Sequence, residues 1–305
     1  MLKGIDSIVN CKSSKDADVV ILGVPYDCSL SLVNKALRGQ KGVLSVLDRG
    51  LEFFDRFTLT EPAYLFRIAF EGLKRLRSVA PERMIERVRD AQKEHSDRFV
   101  VMLGGNHSVS IGAFSFFAQK FVPKDVTVLQ IDAHLDLRND TSDYKADSSR
   151  FDHACVMRRA YDFGYKAVHV GTRTYSKEEY EFIDEKNLTV FEWGRGDVPT
   201  IDSIIDSIQT DLVYLTIDID GLDLSCVPGT NTPVPGGIEW DYASELLRKL
   251  FISKDVIGVD IVEVAPIRGD IITPYSVAQL LYLIVSCRLP KDGRGLCADG
   301  NPIKN

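Results

Sequence analysis

Seven continuous runs of apolar, β-forming residues punctuate the chain: DVVILGV (18–24), FVVML (99–103), VTVLQI (126–131), AVHV (167–170), LTVF (188–191), LVYLTI (212–217) and DVIGVDIV (255–262). Runs that do not alternate with polar residues belong to strands covered on both faces, as in parallel sheets. Helical segments lie between them: PERMIERVRDAQKEH (81–95), opening on Pro81 at a helix start, SVSIGAFSFFAQK (108–120), YSKEEYEFIDE (175–185), EWDYASELLRKLF (239–251) and TPYSVAQLLYLIVSC (273–287). Strand and helix in alternation predict right-handed βαβ crossovers and a three-layer α/β/α fold with a mostly parallel central sheet. FRIAFEGLKRL (66–76) reads equally as a strand running into a helix or as one amphipathic helix.

A chain of 305 residues can bury about three quarters of its unfolded surface. No Pro/Ser/Gly-rich linker divides it, so a single domain over residues 1–305 is expected. The net charge of −7 comes with no basic block interleaved with aromatics, which argues against nucleic acid as a partner and weakly favours a cationic substrate. The first residues, MLKGIDSIVN, lack the apolar core of a signal peptide, and the most apolar stretch, LLYLIVSC (280–287), is too short to span a bilayer. A soluble, cytoplasmic protein without a membrane partner is expected. Six cysteines (Cys11, Cys28, Cys155, Cys226, Cys287 and Cys297) form no CxxC pair and read as free thiols.

Chemistry enters at the strand ends. DAHLD (132–136) follows VTVLQI, and DID (218–220) follows LVYLTI. In extended chain, residues i, i+2 and i+4 share a face, so Asp132, His134 and Asp136 can converge on one ion, as can Asp218 and Asp220. FVVML leads into Gly104, Gly105, Asn106 and His107, and DVIGVDIV is followed by Glu263. Ligands of open α/β sheets collect outside the carboxyl ends of the strands, and here four strands deliver acids or imidazoles to that edge. A lone aspartate among these reads as a helix cap or turn former; the joint pattern does not. Six donors with four carboxylates exceed the needs of one tetrahedral zinc and point to two ions, with the oxygen excess favouring Mn²⁺ over Fe²⁺, Co²⁺ or Zn²⁺. Such a pair of ions lowers the pKa of a water between them, which implies hydrolysis. Four carboxylates, two divalent ions and a hydroxide sum to about −1, a balance that a cationic substrate completes.

The ordered set GVPYD (23–27), GGNHS (104–108), DAHLD, DIDGLD (218–223), PGTNTPVPGG (228–237) and DIVEVAP (260–266) resembles the ureohydrolase family of arginases and agmatinases. HACVMRRA (153–160) is similar to the matching segment of archaeal-type agmatinases. The resemblance implies an arginase-like fold, trimers or hexamers of identical chains, and two Mn²⁺ per subunit. It implies that His107 and Asp136 hold one ion, that His134 and Asp220 hold the other, and that Asp132 and Asp218 bridge them. A hydroxide between the ions would attack the guanidinium carbon, and the tetrahedral intermediate would collapse to urea and an amine. Asp136 would also help move a proton to the leaving nitrogen, His153 would shuttle protons or contact substrate, and Glu263 would grip the guanidinium through paired, charge-assisted hydrogen bonds.

Against the family pattern, Asn106 replaces an aspartate, Thr216 a serine, Leu224 a proline and Asn231 a glycine, and the early glycine-rich segment between Cys28 and Gly50 is degraded. No metal ligand is lost, so these changes bear on the support of the site and on loop rigidity. His95, closing a polar helix, and His169, inside AVHV, read as structural, and Cys155 as a packing residue.

The loop LRNDTSDYKADSSRFD (137–152) lacks the asparagine-threonine pattern with which arginases hold an α-amino acid, and VGTRTYSKEEY (170–180) lacks their acids for the substrate ammonium. Agmatine, cleaved to putrescine and urea as in polyamine biosynthesis, is the preferred small cationic guanidino substrate. Arg138, a candidate carboxylate receptor, keeps guanidinobutyrate and formiminoglutamate open alongside arginine, although His153 argues against formiminoglutamate. A reading of another class is a non-catalytic metal-binding polyamine sensor, against which an intact His153 and Glu263 weigh.

Overall fold

The computed structural model describes residues 6–27, 35–74, 76, 79–142 and 149–288. The tail 289–305, with Cys297, lies outside them, as do Cys28, residues 143–148 of the loop after DAHLD, and part of the segment between Cys28 and Gly50.

Each of the seven apolar runs forms a strand: β1 (Val19–Gly23), β3 (Phe99–Leu103), β4 (Val126–Ile131), β5 (Lys166–Thr172), β6 (Thr189–Glu192), β7 (Leu212–Asp218) and β8 (Asp255–Val262). The ambiguous segment settles as β2 (Ile68–Gly72), an edge strand. Only its first two residues are buried, which is why its pattern read equally as a strand running into a helix or as one amphipathic helix. The eight strands run in the order β2-β1-β3-β8-β7-β4-β5-β6, and every neighbouring pair is parallel.

The period of two sends successive side chains into opposite layers. Val213, Leu215 and Ile217 of β7 join the core that packs against helices Trp240–Ser253 and Ile272–Ser286, through Leu246, Leu250 and Leu281. Tyr214 points the other way, to Phe114, Phe117 and Met157 of helices Ser110–Lys120 and Val156–Phe163. Both faces are therefore apolar, and the strands read as unbroken hydrophobic runs. Four helices fall outside the sequence expectations: Lys35–Arg49, Pro62–Leu65, Val156–Phe163 and Ile201–Ser207. Among the described residues no helix is long and apolar enough to cross a membrane.

The topology fixes the position of the site. The strands that precede His107, Glu263, Asp218 and Asp132 are β3, β8, β7 and β4, four consecutive neighbours at the centre of the sheet. Because all run the same way, their carboxyl ends open on one edge.

Candidate metal centre

At that edge the chain turns so as to aim its acids inward. After β4 the Asp132 carboxylate accepts from the His134 backbone N–H (2.6 Å), and after β7 Asp218 accepts from Asp220 N–H (3.0 Å). Asp220 in turn accepts from Ala133 N–H at 3.0 Å, tying the two turns together. Gly221 permits this approach, since a Cβ there would lie 2.6 Å from the Asp132 nitrogen. Asp136 and Glu263 hold left-handed backbone angles (φ +55° and +61°), a region costly for a residue with a side chain and characteristic of functional sites.

Ligand atoms of His107, Asp132 and Asp218 lie within 4.8 Å of one another, and so do those of Asp132, His134 and Asp220, with Asp132 common to both groups. His107 Nδ1 is 2.9 Å from Asp136, 3.3 Å from Asp132 and 3.6 Å from Asp218; His134 Nδ1 is 3.1 Å from Asp220. The structure thus brings together all six residues marked in the sequence as metal ligands. His107 Nδ1 and Asp220 Oδ2 are buried atoms without a hydrogen-bond partner, which suits donors reserved for an ion.

The electrostatics match. Burial, followed by the charges of Asp220, Asp132 and Glu263, pushes the Asp218 carboxyl well above its usual range. Burial and then the charge of Asp132 push Asp136 and Asp220 up to about 6. Burial opposes a proton on His134, yet the Asp132 and Asp220 carboxylates beside it outweigh burial and raise the imidazole to about 12. A buried, mutually repelling set of four carboxylates calls for compensating positive charge.

Behind the ligands a polar row crosses the apolar sheet. His169 (β5) pairs opposite Gln130 (β4), Gln130 opposite Thr216 (β7), and Thr216 opposite Asp260 (β8), all of them fully buried. Thr216 donates to Asp260 at 2.6 Å, so its oxygen accepts from His107 Nε2 at 2.9 Å, leaving Nδ1 as the nitrogen that could hold an ion. Gln130 donates to Asp132 at 2.7 Å. Arg173 spreads its guanidinium over the carbonyls of Asp220 (2.5 Å), Val234 (2.7 Å) and Gly171 (2.9 Å), pinning the DID turn to the PGTNTPVPGG loop.

The remaining predicted residues are buried or half-buried. Glu263 Oε1 accepts the His107 backbone N–H at 2.7 Å. His153 Nδ1 lies 2.5 Å from Asp152; burial opposes its protonation, but the bond to Asp152 prevails and raises the imidazole above its ordinary value. Arg138 donates its backbone N–H to the carbonyl of Ala154, next to His153 in the chain. Glu178 and Glu179, at the start of helix Lys177–Lys186, accept from Asn139 and Leu137 and hold this loop. Cys155 is a buried thiol pushed up to about 12 by burial. Asp152, Gln130, Asp260 and Arg173 were not singled out from sequence; a glutamine inside the apolar run VTVLQI was the readable clue.

A family model described as the arginase family matches residues 17–286. The N(1)-aminopropylagmatine ureohydrolase of Synechocystis sp. is 36% identical over 282 residues, covering 90% of each chain. The agmatinase of Pyrococcus horikoshii is 30% identical, covering 89% of this chain and 92% of its own. The crystal structure of agmatine ureohydrolase from Thermoplasma volcanium superposes with a TM-score of 0.79 at 25% identity, covering 94% and 95% of the two chains. A match of this extent means that the chain belongs to the arginase family of ureohydrolases.

Proposed function

We propose that the chain, folded as one ureohydrolase domain, hydrolyses the guanidinium group of agmatine to putrescine and urea, with two Mn²⁺ held by His107, Asp132, His134, Asp136, Asp218 and Asp220. The observation that carries this reading is the 2.7 Å contact between His107 N–H and Glu263 Oε1, which fixes the acid that receives the guanidinium against a metal-ligand group. Divalent ions in such a site supply a water deprotonated near neutral pH and stabilise charge developing on the substrate.

The chain's own residues do the rest. Glu263 receives guanidinium N–H groups through charge-assisted bonds, turning the substrate carbon toward the cluster. Asp136, held near His107, accepts the proton released as the carbon–oxygen bond forms. His153, oriented by Asp152 at Nδ1, presents Nε2 to the departing amine and donates the proton it needs as the carbon–nitrogen bond breaks. Water and agmatine thereby become urea and putrescine. We assign the working form to a homo-oligomer in the cytoplasm.

A second substrate has its own support: the Synechocystis relative, at 36% identity, is named for N(1)-aminopropylagmatine, which carries the same guanidinium on a longer amine. Urea release with Mn²⁺ on agmatine, N(1)-aminopropylagmatine, arginine and guanidinobutyrate, with formamide release from formiminoglutamate, separates the candidates. Turnover of agmatine above the rest supports the first reading and preference for the longer amine supports the second. No turnover of any leaves the metal-binding sensor.

A further inference from the structure

We propose that Gln130 and His169 act as a positioning pair that fixes the Asp132 carboxylate and thereby sets the affinity of the divalent-ion site; the inference rests on the reading of Asp132 as a metal ligand. The hydrogen-bond directions follow from Asp132 outward. A carboxylate only accepts, so the Gln130 edge facing Asp132 Oδ2 at 2.7 Å is the NH₂ group, which also reaches the His134 carbonyl at 3.4 Å. Oε1 then faces His169 Nδ1 at 2.5 Å, and that nitrogen carries the proton. His169 Nε2 is left as an acceptor, 3.4 Å from the Tyr161 hydroxyl.

Burial pushes the His169 imidazole down to about 4, so it is neutral and holds this one tautomer. The amide of Gln130 has no freedom to flip, because reversal would set Nε2 against the Nδ1–H of His169 and Oε1 against Asp132. Asp132 is consequently gripped at both oxygens, by His134 N–H at Oδ1 and by Gln130 at Oδ2. Tyr161 lies on helix Val156–Phe163, directly after the turn that carries His153, so the row also links the proton-transfer side of the site to its metal side.

The test is Mn²⁺ titration of the full chain after chelator stripping, followed calorimetrically, with melting of each stripped variant measured alongside. His169→Leu and Gln130→Met are expected to weaken Mn²⁺ binding by about 10- to 100-fold, the range for groups that orient metal ligands. The double variant is expected to lose no more than the worse single, since both break one relay. His169→Gln keeps an N–H donor toward Oε1 and is expected to bind within about twofold of wild type. Wild-type affinity in His169→Leu, equal losses in His169→Leu and His169→Gln, or a double variant that loses the sum of both singles overturns the relay while leaving the metal reading intact. A wild-type chain that binds no Mn²⁺ overturns the metal reading and the relay with it. If Gln130→Met does not fold, the His169 pair of variants carries the comparison alone.

Discussion

The side-chain amide of Asn231 donates to Glu263 Oε2 at 2.5 Å, while the His107 backbone N–H occupies Oε1 at 2.7 Å. A glycine, usual at position 231 in the family, could make no such bond. Glu263, already at a left-handed backbone angle, is thus locked from the loop on one side and from the metal-ligand turn on the other.

This lock predicts a split in kinetics. Asn231→Ala should raise KM for the guanidino substrate by about tenfold with a smaller change in kcat, the cost of one hydrogen bond to a charged group at about 1.5 kcal/mol. Glu263→Gln should lower kcat/KM by at least about a hundredfold, since paired charge-assisted bonds are lost. Steady-state urea release reads both; an unchanged KM in Asn231→Ala removes the amide from substrate positioning.

Thr216 makes a separable prediction. Thr216→Val keeps the shape but removes the acceptor for His107 Nε2, leaving a buried N–H unpaired at a cost of about 1–3 kcal/mol. Mn²⁺ affinity should fall by about 10- to 100-fold, with activity recovering at high Mn²⁺. Thr216→Ser should behave as wild type, because the hydroxyl alone carries the link between His107 and Asp260.

Four buried carboxylates make the fold sensitive to metal. Mn²⁺ at a hundredfold excess over Kd should stabilise the chain by about 2.7 kcal/mol per site, visible as a rise in melting temperature that EDTA reverses. Asp132→Ala, which removes the residue common to both ligand groups, should abolish the rise and the activity together. A persistent Mn²⁺-dependent shift in that variant would refute the shared role of Asp132.

His169 gives a pH dependence of known sign. Its folded pKa, depressed to about 4 by burial, lies below the ordinary 6.5, so the unfolded chain takes up the proton first as pH falls. Its contribution is fully present above pH 6.5 and is lost between there and about 4, up to about 3 kcal/mol. Urea unfolding at pH 7 and pH 4.5 should therefore show a steeper acid loss in wild type than in His169→Gln; parallel losses would mean that His169 does not titrate as a buried neutral group.

Local pattern made most of the fold legible. Strands buried on both faces must be apolar throughout, so VVILG, FVVML and LVYLTID announced themselves, whereas the half-exposed edge strand Ile68–Gly72 carried too little contrast. Helix Val156–Phe163 is only eight residues long and was overshadowed by the motif in which it lies. The six candidate ligands were legible because each ends a strand or lies in the turn that follows one, and parallel strands put all such positions on one edge. Asp152 and Arg173 were not, since a carboxylate beside a histidine and an arginine after a strand acquire meaning only from what they touch.

The sequence by itself determined which acids and imidazoles the sheet would gather at one edge, because side-chain period and strand direction are local properties. Tertiary structure decided which strands are neighbours, and so which buried groups meet. β3, β8, β7 and β4 lie side by side although 22 to 80 residues of chain lie between the end of one and the start of the next in sequence. Strand pairing places Gln130 of β4 opposite His169 of β5 and Thr216 of β7 opposite Asp260 of β8, and the loop after β7 brings Asn231 against Glu263. Hydrogen bonds reach only about 3 Å, so contacts of this kind exist in the folded sheet and nowhere in the order of the letters.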